Sequence, residues 1–154
     1  MAREAVPADL ADVADLWRSA TTELASARGG RTLGLEHHLA EPLEESLGRF
    51  AERPDATVIV GTLDEVIVGA ATIEANDLVD GTRIGRIGLL YVEPEARGVG
   101  VGEALIAELI AWCGEHDCVG IDAFALPGMR ETKNFFEGSG FTARLLVMHR
   151  QAVD

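Results

Sequence analysis

The stretch from Leu89 to Leu105 reads LLYVEPEARGVGVGEAL and contains the most informative pattern in the chain. It begins as an apolar strand that stops at Pro94, and from Gly102 onward the apolar residues recur at helical spacing. The glycines at 98, 100 and 102 lie between these two elements, where the absence of Cβ atoms lets backbone amides converge. Because a helix N-terminus adds partial positive charge, the stretch predicts a loop that cradles a pyrophosphate.

Two more common phosphate-binding loops do not fit the same residues. A dinucleotide loop, G-x-G-x-x-G, requires glycine where Glu103 and Leu105 stand, and a Walker loop requires a Gly-Lys pair that the sequence lacks. A dinucleotide-binding oxidoreductase would therefore rest on glycine content alone. The glycines could also merely cap the helix, but glycine favours helix C-termini over N-termini. The pyrophosphate cradle is the preferred interpretation.

Size and composition limit the fold classes and functions that the chain can have. The chain has 154 residues, 47% of them hydrophobic and 25% charged, which predicts one globular domain spanning residues 1–154. A net charge of −13 disfavours binding to nucleic acid or to an anionic membrane surface. No apolar run approaches the roughly 20 residues of a membrane helix. The first residues do not resemble a signal peptide, so a cytoplasmic protein with reduced thiols is expected.

A metal site is not expected. Cys113, His116 and Cys118 are three candidate ligands without a fourth, at the end of an apolar helix.

The periodicity of the rest of the chain predicts an α/β protein with one mixed sheet flanked by helices. An amphipathic helix follows Asp9, a loop covers residues 28–32, and a second helix runs from Pro42 to just before Pro54. Further helices are predicted at residues 102–115 and 130–137. Strands are predicted at residues 3–6, 57–62, 66–74, 83–92, 119–126 and 141–150.

Two motifs in this framework resemble the GNAT family of N-acetyltransferases. Arg97-Gly98-Val99-Gly100-Val101-Gly102 is similar to the acetyl-CoA signature of that family, Q/R-x-x-G-x-G/A, and it follows a strand as the signature does. Residues 135–141, FFEGSGF, resemble the family's F-Y-E-x-x-G-F, and the order of predicted elements agrees between residues 6 and 141. The resemblance implies a GNAT-type, mostly antiparallel central sheet and acetyl-CoA as cosubstrate, without a metal.

The resemblance also implies where the cosubstrate binds. Backbone amides of residues 97–102 would hold the CoA pyrophosphate, and the strand around residues 90–92 would pair with the pantetheine arm. The strand at residues 119–126 would diverge to make room. The implied cofactor-binding residues are Leu90, Tyr91, Val92, Arg97, Gly98, Val99, Gly100, Val101, Gly102, Asn134 and Phe136.

The general base is less clear from the sequence. An alkylammonium has a pKa of about 10.4, so a base must take its proton before it attacks a thioester. Several family members place a carboxylate in the strand before the signature, but Arg86 stands at that position here. Glu74 and Asp122 are the remaining strand carboxylates, with Glu74 favoured, and Tyr91 and His149 are further candidates. Each could equally be a solvated charge or a core group.

Two other positions depart from the family pattern. Phe136 stands where many relatives carry a Tyr that hydrogen-bonds or protonates the leaving sulfur, and a missing acid lowers a rate by roughly 10² to 10⁴. Met129 stands where relatives often have an Asn that contacts the cofactor, so Lys133 and Asn134 are the available polar substitutes. Two functions therefore stay open: an acetyl-CoA-dependent N-acetyltransferase, and a CoA-binding sensor or interaction module that has lost turnover.

The acceptor is predicted to be a primary amine of a small molecule or a protein amino group. In the family the first two helices line the acceptor side, and here they carry carboxylates that could attract a cation. His37 and His38 are predicted near the acceptor mouth or in solvent. The acidic residues of this region are Glu23, Glu36, Glu41, Glu44 and Glu45.

A homodimer is also predicted. The last predicted strand, residues 141–150, ends four residues before the sequence does, where relatives usually continue into another strand. An edge carrying Leu145, Leu146, Val147 and Met148 would then be open to pairing with a second subunit.

Overall fold

The structure is a computed structural model that describes residues 1–153, and its centre is a five-stranded sheet in the order β1-β2-β3-β4-β5. The strands are Ala2–Glu4 (β1), Ala56–Leu63 (β2), Val66–Asp77 (β3), Arg83–Val92 (β4) and Gly120–Asp122 (β5). The helices are Leu10–Ala25 (α1), Gly30–His37 (α2), Leu43–Glu52 (α3), Val101–Glu115 (α4) and Arg130–Gly138 (α5). All neighbouring strands are antiparallel except β4 and β5, which are parallel. The predicted mixed, mostly antiparallel sheet flanked by helices is confirmed.

The alternation of side chains along β2 divides the core into two layers. Val58 and Val60 point towards α1 and α3, whereas Ile59 points towards α4. On α4, Leu105 and Leu109 are completely buried against the second face of the sheet. The sheet therefore holds α1 and α3 on one side and α4 on the other, which fixes the positions of both walls of the site described below.

The predicted loop at residues 28–32 is partly wrong, because α2 begins inside it. Gly29 has φ +79°, a left-handed conformation that reverses the chain after α1. A Cβ on Gly30 would come within 1.7 Å of the carbonyl oxygen of Leu24, so this glycine lets α2 cross closely behind α1. The glycine pair therefore makes a tight helix junction, which composition alone does not distinguish from a loop.

The two C-terminal strand predictions are corrected by the structure. Only Gly120–Asp122 of the predicted strand 119–126 pairs with β4, because the chain then turns away from the sheet. Residues 141–150 are outside any strand of the described chain, and the side chains from 142 to 150 are exposed. The apolar residues of this segment are consecutive, so no alternation fixes the register of a strand, and no neighbouring element within residues 1–153 packs on them. High β-propensity alone therefore does not make the segment a strand.

Within residues 1–153, no helix is both long and apolar enough to cross a membrane.

Candidate active site

The two parallel strands separate to open a cleft at the middle of the sheet. Ile84, Gly85 and Arg86 pair with residues 120–122, and from Ile87 onward no strand of the described chain pairs with this edge of β4. The cleft between them has a cavity volume of about 140 Å³ and is open to solvent. Its walls come from α1, α2, residues 87–91 of β4, and the segment from Phe124 to Phe136. This is the divergence that the sequence predicts for the strand after the phosphate loop.

A β-bulge lies at the inner end of this cleft. Thr72 is opposite Leu89 and Ile73 is opposite Ile87, so Gly88 is an extra residue on β4. The amide of Leu89 donates to Oγ1 of Thr72 at 3.0 Å, and Thr72 is only 2% exposed. A Cβ on Gly88 would lie 3.0 Å from the same oxygen. The bulge therefore redirects the β4 backbone where the strands part, and the Thr72 hydroxyl holds it there.

The glycine-rich loop presents an array of backbone amides at the outer end of the cleft. Gly98 and Gly100 have φ +81° and +96°, and a Cβ at either position would have no neighbour within 4 Å. Their conformation, rather than crowding, is what favours glycine. Within residues 1–153, the amides of residues 98–103 donate to no protein oxygen. Because these amides cluster at the N-terminus of α4, the loop is suited to an anionic group such as a diphosphate.

Gly102 differs from the other two glycines of the loop. A Cβ on Gly102 would lie 3.1 Å from Cε1 of Phe135, so this residue lets α5 pack against the start of α4. The loop is thus supported from beneath by an aromatic ring. Its position is set by packing as well as by the helix N-terminus.

Arg97 connects the loop to α1. Its Nη2 donates to both carboxylate oxygens of Glu23, at 3.0 and 2.9 Å, and its Nε donates to the carbonyl of Val92 at 2.8 Å. The guanidinium also lies 5.4 Å from the ring centroid of Tyr91. Burial, and after it the charge of Glu23, raises the pKa of Tyr91, so its phenol is protonated at neutral pH.

The opposite wall is formed by α5 and the residues before it. Phe136 lines the cleft, is 8% exposed, and packs its ring against Phe135 and Phe141 at centroid distances of 5.6 and 5.3 Å. Met129 also lines the cleft, whereas Asn134 is exposed on the outer face of α5. Of the residues singled out on α5, Phe136 is thus the one that faces the cleft.

The two carboxylates proposed as general bases lie outside the residues that line the cleft. Glu74 accepts a hydrogen bond from Nη1 of Arg53 at 3.0 Å. Asp122 is held by Arg144, whose guanidinium lowers the pKa of that carboxyl. Tyr91 does line the cleft. His149 lies in the exposed C-terminal segment.

The acidic side chains of the acceptor side are largely paired. Arg18 on α1 donates to both Glu41 and Glu44, with closest approaches of 3.0 and 3.2 Å, and this lowers the pKa of both carboxyl groups. Glu23 is occupied by Arg97. These ion pairs reduce the general attraction for cations that the composition of the two helices indicates.

The cleft also contains residues that the sequence signals did not select. Trp17, Thr21 and Thr132 line it together with His37, whose ring centroid is 4.4 Å from that of Phe124. The sequence predicts His37 near the acceptor mouth only because the first two helices line the acceptor side in the family that the sequence resembles. Trp17, Thr21 and Thr132 lie on helices whose sequence pattern does not distinguish them, because a helix face that lines a cleft has the same period as one that faces a core.

Comparison with known proteins places this geometry in a family. The Acetyltransferase (GNAT) family model matches residues 12–141. The chain is 35% identical over 105 residues to aminoglycoside N(6')-acetyltransferase type 1 of Stenotrophomonas maltophilia, an alignment that covers 66% of this chain and 69% of that protein. The chain belongs to the GNAT family of acetyltransferases, and it is an N-acetyltransferase.

Solved structures share the fold at lower identity. A tetramutant of the BH1408 protein from Bacillus halodurans superposes with a TM-score of 0.79 and 19% identity, covering 98% of this chain and 99% of that one. An aminoglycoside acetyltransferase from an uncultured soil metagenomic sample, solved in complex with trehalose, gives a TM-score of 0.75 and 18% identity, with 99% and 95% coverage.

Proposed function

We propose that this chain, acting as one domain, transfers an acetyl group from acetyl-CoA to a primary amine of a small molecule by direct attack of the amine. The observation that carries the proposal is the cluster of amides at residues 98–103, which adjoins the cleft beside the free edge of β4. A diphosphate accepts hydrogen bonds from such amides, and an extended amide-containing arm pairs with a strand edge.

Each part of the site has a distinct task in this proposal. The loop from Arg97 to Gly102 binds the diphosphate, and Leu90, Tyr91 and Val92 offer backbone groups to the arm. Phe136 forms the wall beside it, and Asn134 is available at the outer rim. Acetyl-CoA supplies an activated acyl group on a thiolate leaving group. The protein aligns the amine with that group and excludes water from it.

The proposed acceptor class is supported by the relative and by the shape of the cleft. The similar protein from Stenotrophomonas maltophilia is named for an aminoglycoside, a small molecule with several amino groups. The acceptor-side walls come from α1 and α2, so the amine enters between two helices and not along a strand edge. This geometry favours a small amine over a protein amino group.

Glu74, Asp122 and Tyr91 remain proposals as catalytic residues. Glu74 and Asp122 would have to act through water from outside the cleft, since both are engaged by arginines. Tyr91 is inside the cleft and, as a protonated phenol, suits the role of a donor to the leaving sulfur better than that of a base.

The experiment mixes the purified protein with acetyl-CoA and a panel of small primary amines and measures release of free thiol. At least one amine should raise release well above the rate with water alone. If CoA binds tightly by calorimetry but no amine, including a lysine-containing peptide, stimulates release, the chain is instead the CoA-binding sensor that Phe136 and Arg86 suggest. If neither occurs, the proposal is wrong.

We further propose that two copies associate through residues 145–148. These four apolar side chains are 68 to 87% exposed, the Asp122–Arg144 ion pair ties their segment to β5, and within residues 1–153 β5 has no strand on its other edge. An exposed apolar run next to a strand edge is suited to pairing with a second copy. Light scattering should give about twice the 16.4 kDa of one chain, and Val147→Lys should halve that mass. A wild-type mass of one chain would refute the association.

A further inference from the structure

Three titratable side chains line the cleft: Glu23 from α1, His37 from α2 and Tyr91 from β4. We propose that His37 is the general base that takes a proton from the acceptor amine. This proposal rests on the proposed function and assigns one of its steps to a residue of α2.

His37 lines the cleft where it contacts Phe124, two residues beyond the last paired residue of β5. Arg86 is opposite Asp122 in the parallel register, so Gly88 and Phe124 follow two residues later on each side of the opening. The His37 ring is 4.4 Å from that of Phe124 and tilted by 40°. The imidazole therefore lines the same cleft as Gly88 and Leu89 of the bulge, and the amide cluster of the phosphate loop follows the C-terminal end of β4.

The length of β4 separates the two ends by a distance that suits an extended arm. From Val92, next to the loop, to Gly88 there are four residues, or about 13 Å at the rise of a β-strand. An arm bound by its diphosphate at residues 98–103 and lying along this edge points its thioester towards Gly88. The acceptor nitrogen must reach the same place from the α1 and α2 side, which is where His37 stands.

Neither of the other two groups is suited to accept a proton. Both carboxylate oxygens of Glu23 accept hydrogen bonds from Nη2 of Arg97. Tyr91 is kept protonated because burial and the charge of Glu23 raise its pKa. A protonated phenol can donate but cannot act as the base.

The ring of His37 is available for proton transfer. Among residues 1–153 neither of its nitrogens has a hydrogen-bond partner, and the residue is half-buried, so the ring lies between the cleft and solvent. Imidazole is the side chain whose ordinary pKa is closest to neutrality, which is the condition for efficient general-base catalysis near pH 7.

The proposed step converts an alkylammonium and a thioester into an amide, a thiol and one released proton. The alkylammonium gives one proton to an imidazole nitrogen of His37, and the nitrogen lone pair forms a bond to the acyl carbon. The carbon–sulfur bond breaks, and the sulfur leaves with the electron pair as a thiolate. The new amide nitrogen loses its second proton; of the two protons, one ends on sulfur and one in solvent.

The decisive variant is His37→Gln, with His38→Gln as the matched control. His38 is adjacent in sequence, but its ring faces Trp17 and a separate pocket, at a ring distance of 6.2 Å from the tryptophan. With an alkylamine acceptor, His37→Gln should lower kcat by about 10²-fold or more. With methoxyamine, which is already deprotonated at neutral pH and needs no base to free its lone pair for attack, the loss should stay below about threefold. His38→Gln should change neither rate by more than about threefold.

Two readouts do not depend on turnover. Calorimetry should give the same CoA affinity for His37→Gln as for the wild type, within about threefold. The second readout is NMR of protein that carries labelled histidine and bound CoA. The imidazole signal of His37 is the one that is missing from the His37→Gln spectrum. Adding the alkylamine should shift this signal and leave the other histidine signals in place.

The outcomes separate this proposal from the proposed function. If the wild type transfers to alkylamines but His37→Gln keeps its rate, or loses the rate equally with methoxyamine, His37 is not the base. If the wild type transfers to no amine, the proposed function fails, and an unmoved His37 signal on adding the amine then overturns the assignment independently.

Discussion

Arg97 and Glu23 are 74 residues apart in sequence, yet one nitrogen of the arginine donates to both oxygens of the glutamate, at 3.0 and 2.9 Å. The pair joins α1 to the glycine-rich loop before α4. Both side chains are about two-fifths exposed, so the pair contributes little to stability. Its main consequence is the electrostatic environment of Tyr91, which lies next to both charges.

The first prediction is that Glu23→Gln lowers the pKa of Tyr91 towards its ordinary value of about 10. The ionised carboxylate disfavours a second negative charge on the phenolate, so its removal makes ionisation easier, while the contribution of burial remains. Tyr91 is the only tyrosine, and absorbance of tyrosinate during an alkaline titration therefore reports on it alone. Arg97→Gln should shift the pKa in the opposite direction.

Glu108→Gln, an exposed change on α4, is the control for that titration. It should leave the pKa of Tyr91 unchanged. A midpoint that is the same or higher in Glu23→Gln would show that the Glu23 charge does not act on the phenol.

The second prediction concerns the phosphate loop. Gly100→Val should abolish measurable CoA binding, because a branched residue cannot hold φ +96° without strain and its side chain would stand among the amides. Gly81→Val is a matched control, since Gly81 has φ +84° in the β3–β4 hairpin and equally open surroundings. Both variants should lose similar stability, but only the first should lose CoA binding. If Gly100→Val bound CoA within about threefold of the wild-type affinity, a loss of binding free energy under roughly 1 kcal/mol, the assignment of this loop to diphosphate binding would be wrong.

The third prediction concerns the leaving group. Phe136→Tyr should raise kcat about tenfold, equivalent to about 1.4 kcal/mol, if its new hydroxyl reaches the thioester sulfur, with little change in KM for acetyl-CoA. Phe141→Tyr adds the same hydroxyl to a ring that packs on Phe136 but does not line the cleft, and it should give no gain. If Phe136→Tyr lowers Tm and leaves kcat unchanged, its hydroxyl is buried without a partner and the residue is a core residue only.

The fourth prediction tests the bulge. Thr72→Val removes the oxygen that accepts from the amide of Leu89, so a buried donor loses its partner and stability should fall by about 1 to 3 kcal/mol. Because Leu89 borders the inner end of the cleft, kcat should fall as well. Thr72→Ser keeps the hydroxyl and should retain most of the activity despite its smaller volume. Equal activity in Thr72→Val and the wild type would show that the bulge does not position the reacting groups.

The sequence predicted well those elements whose signals are local. The strand ending at Val92 was predicted with both its bounds, since alternation begins after a hairpin turn and Pro94 stops it. The helix after the glycine loop was predicted to within one residue because its apolar stripe is long. The family and the enzyme class were implied by the resemblance of residues 97–102 and 135–141 to the GNAT motifs, and the order of these elements agreed with that resemblance.

The rest depends on contacts between distant residues, which local patterns do not contain. The C-terminal part of the predicted strand 119–126 leaves β4, and Phe124 packs on His37 of α2 instead, so the opening of the cleft overrides β-propensity there. Glu74 and Asp122 were selected for lying on strands, and their arginine partners, Arg53 and Arg144, come from other parts of the chain. That His37 lines the same cleft as the bulge likewise follows only from the fold.

The most direct test of the central claim is carbon-13 NMR of the reaction between acetyl-CoA labelled at the acetyl carbonyl and a small primary amine. We expect the wild-type protein to replace the thioester carbonyl signal with that of an amide, and we expect Gly100→Val not to do so. An unchanged thioester signal across the amine panel, or a product signal of acetate alone, would contradict the assignment of this cleft to acetyl transfer onto an amine.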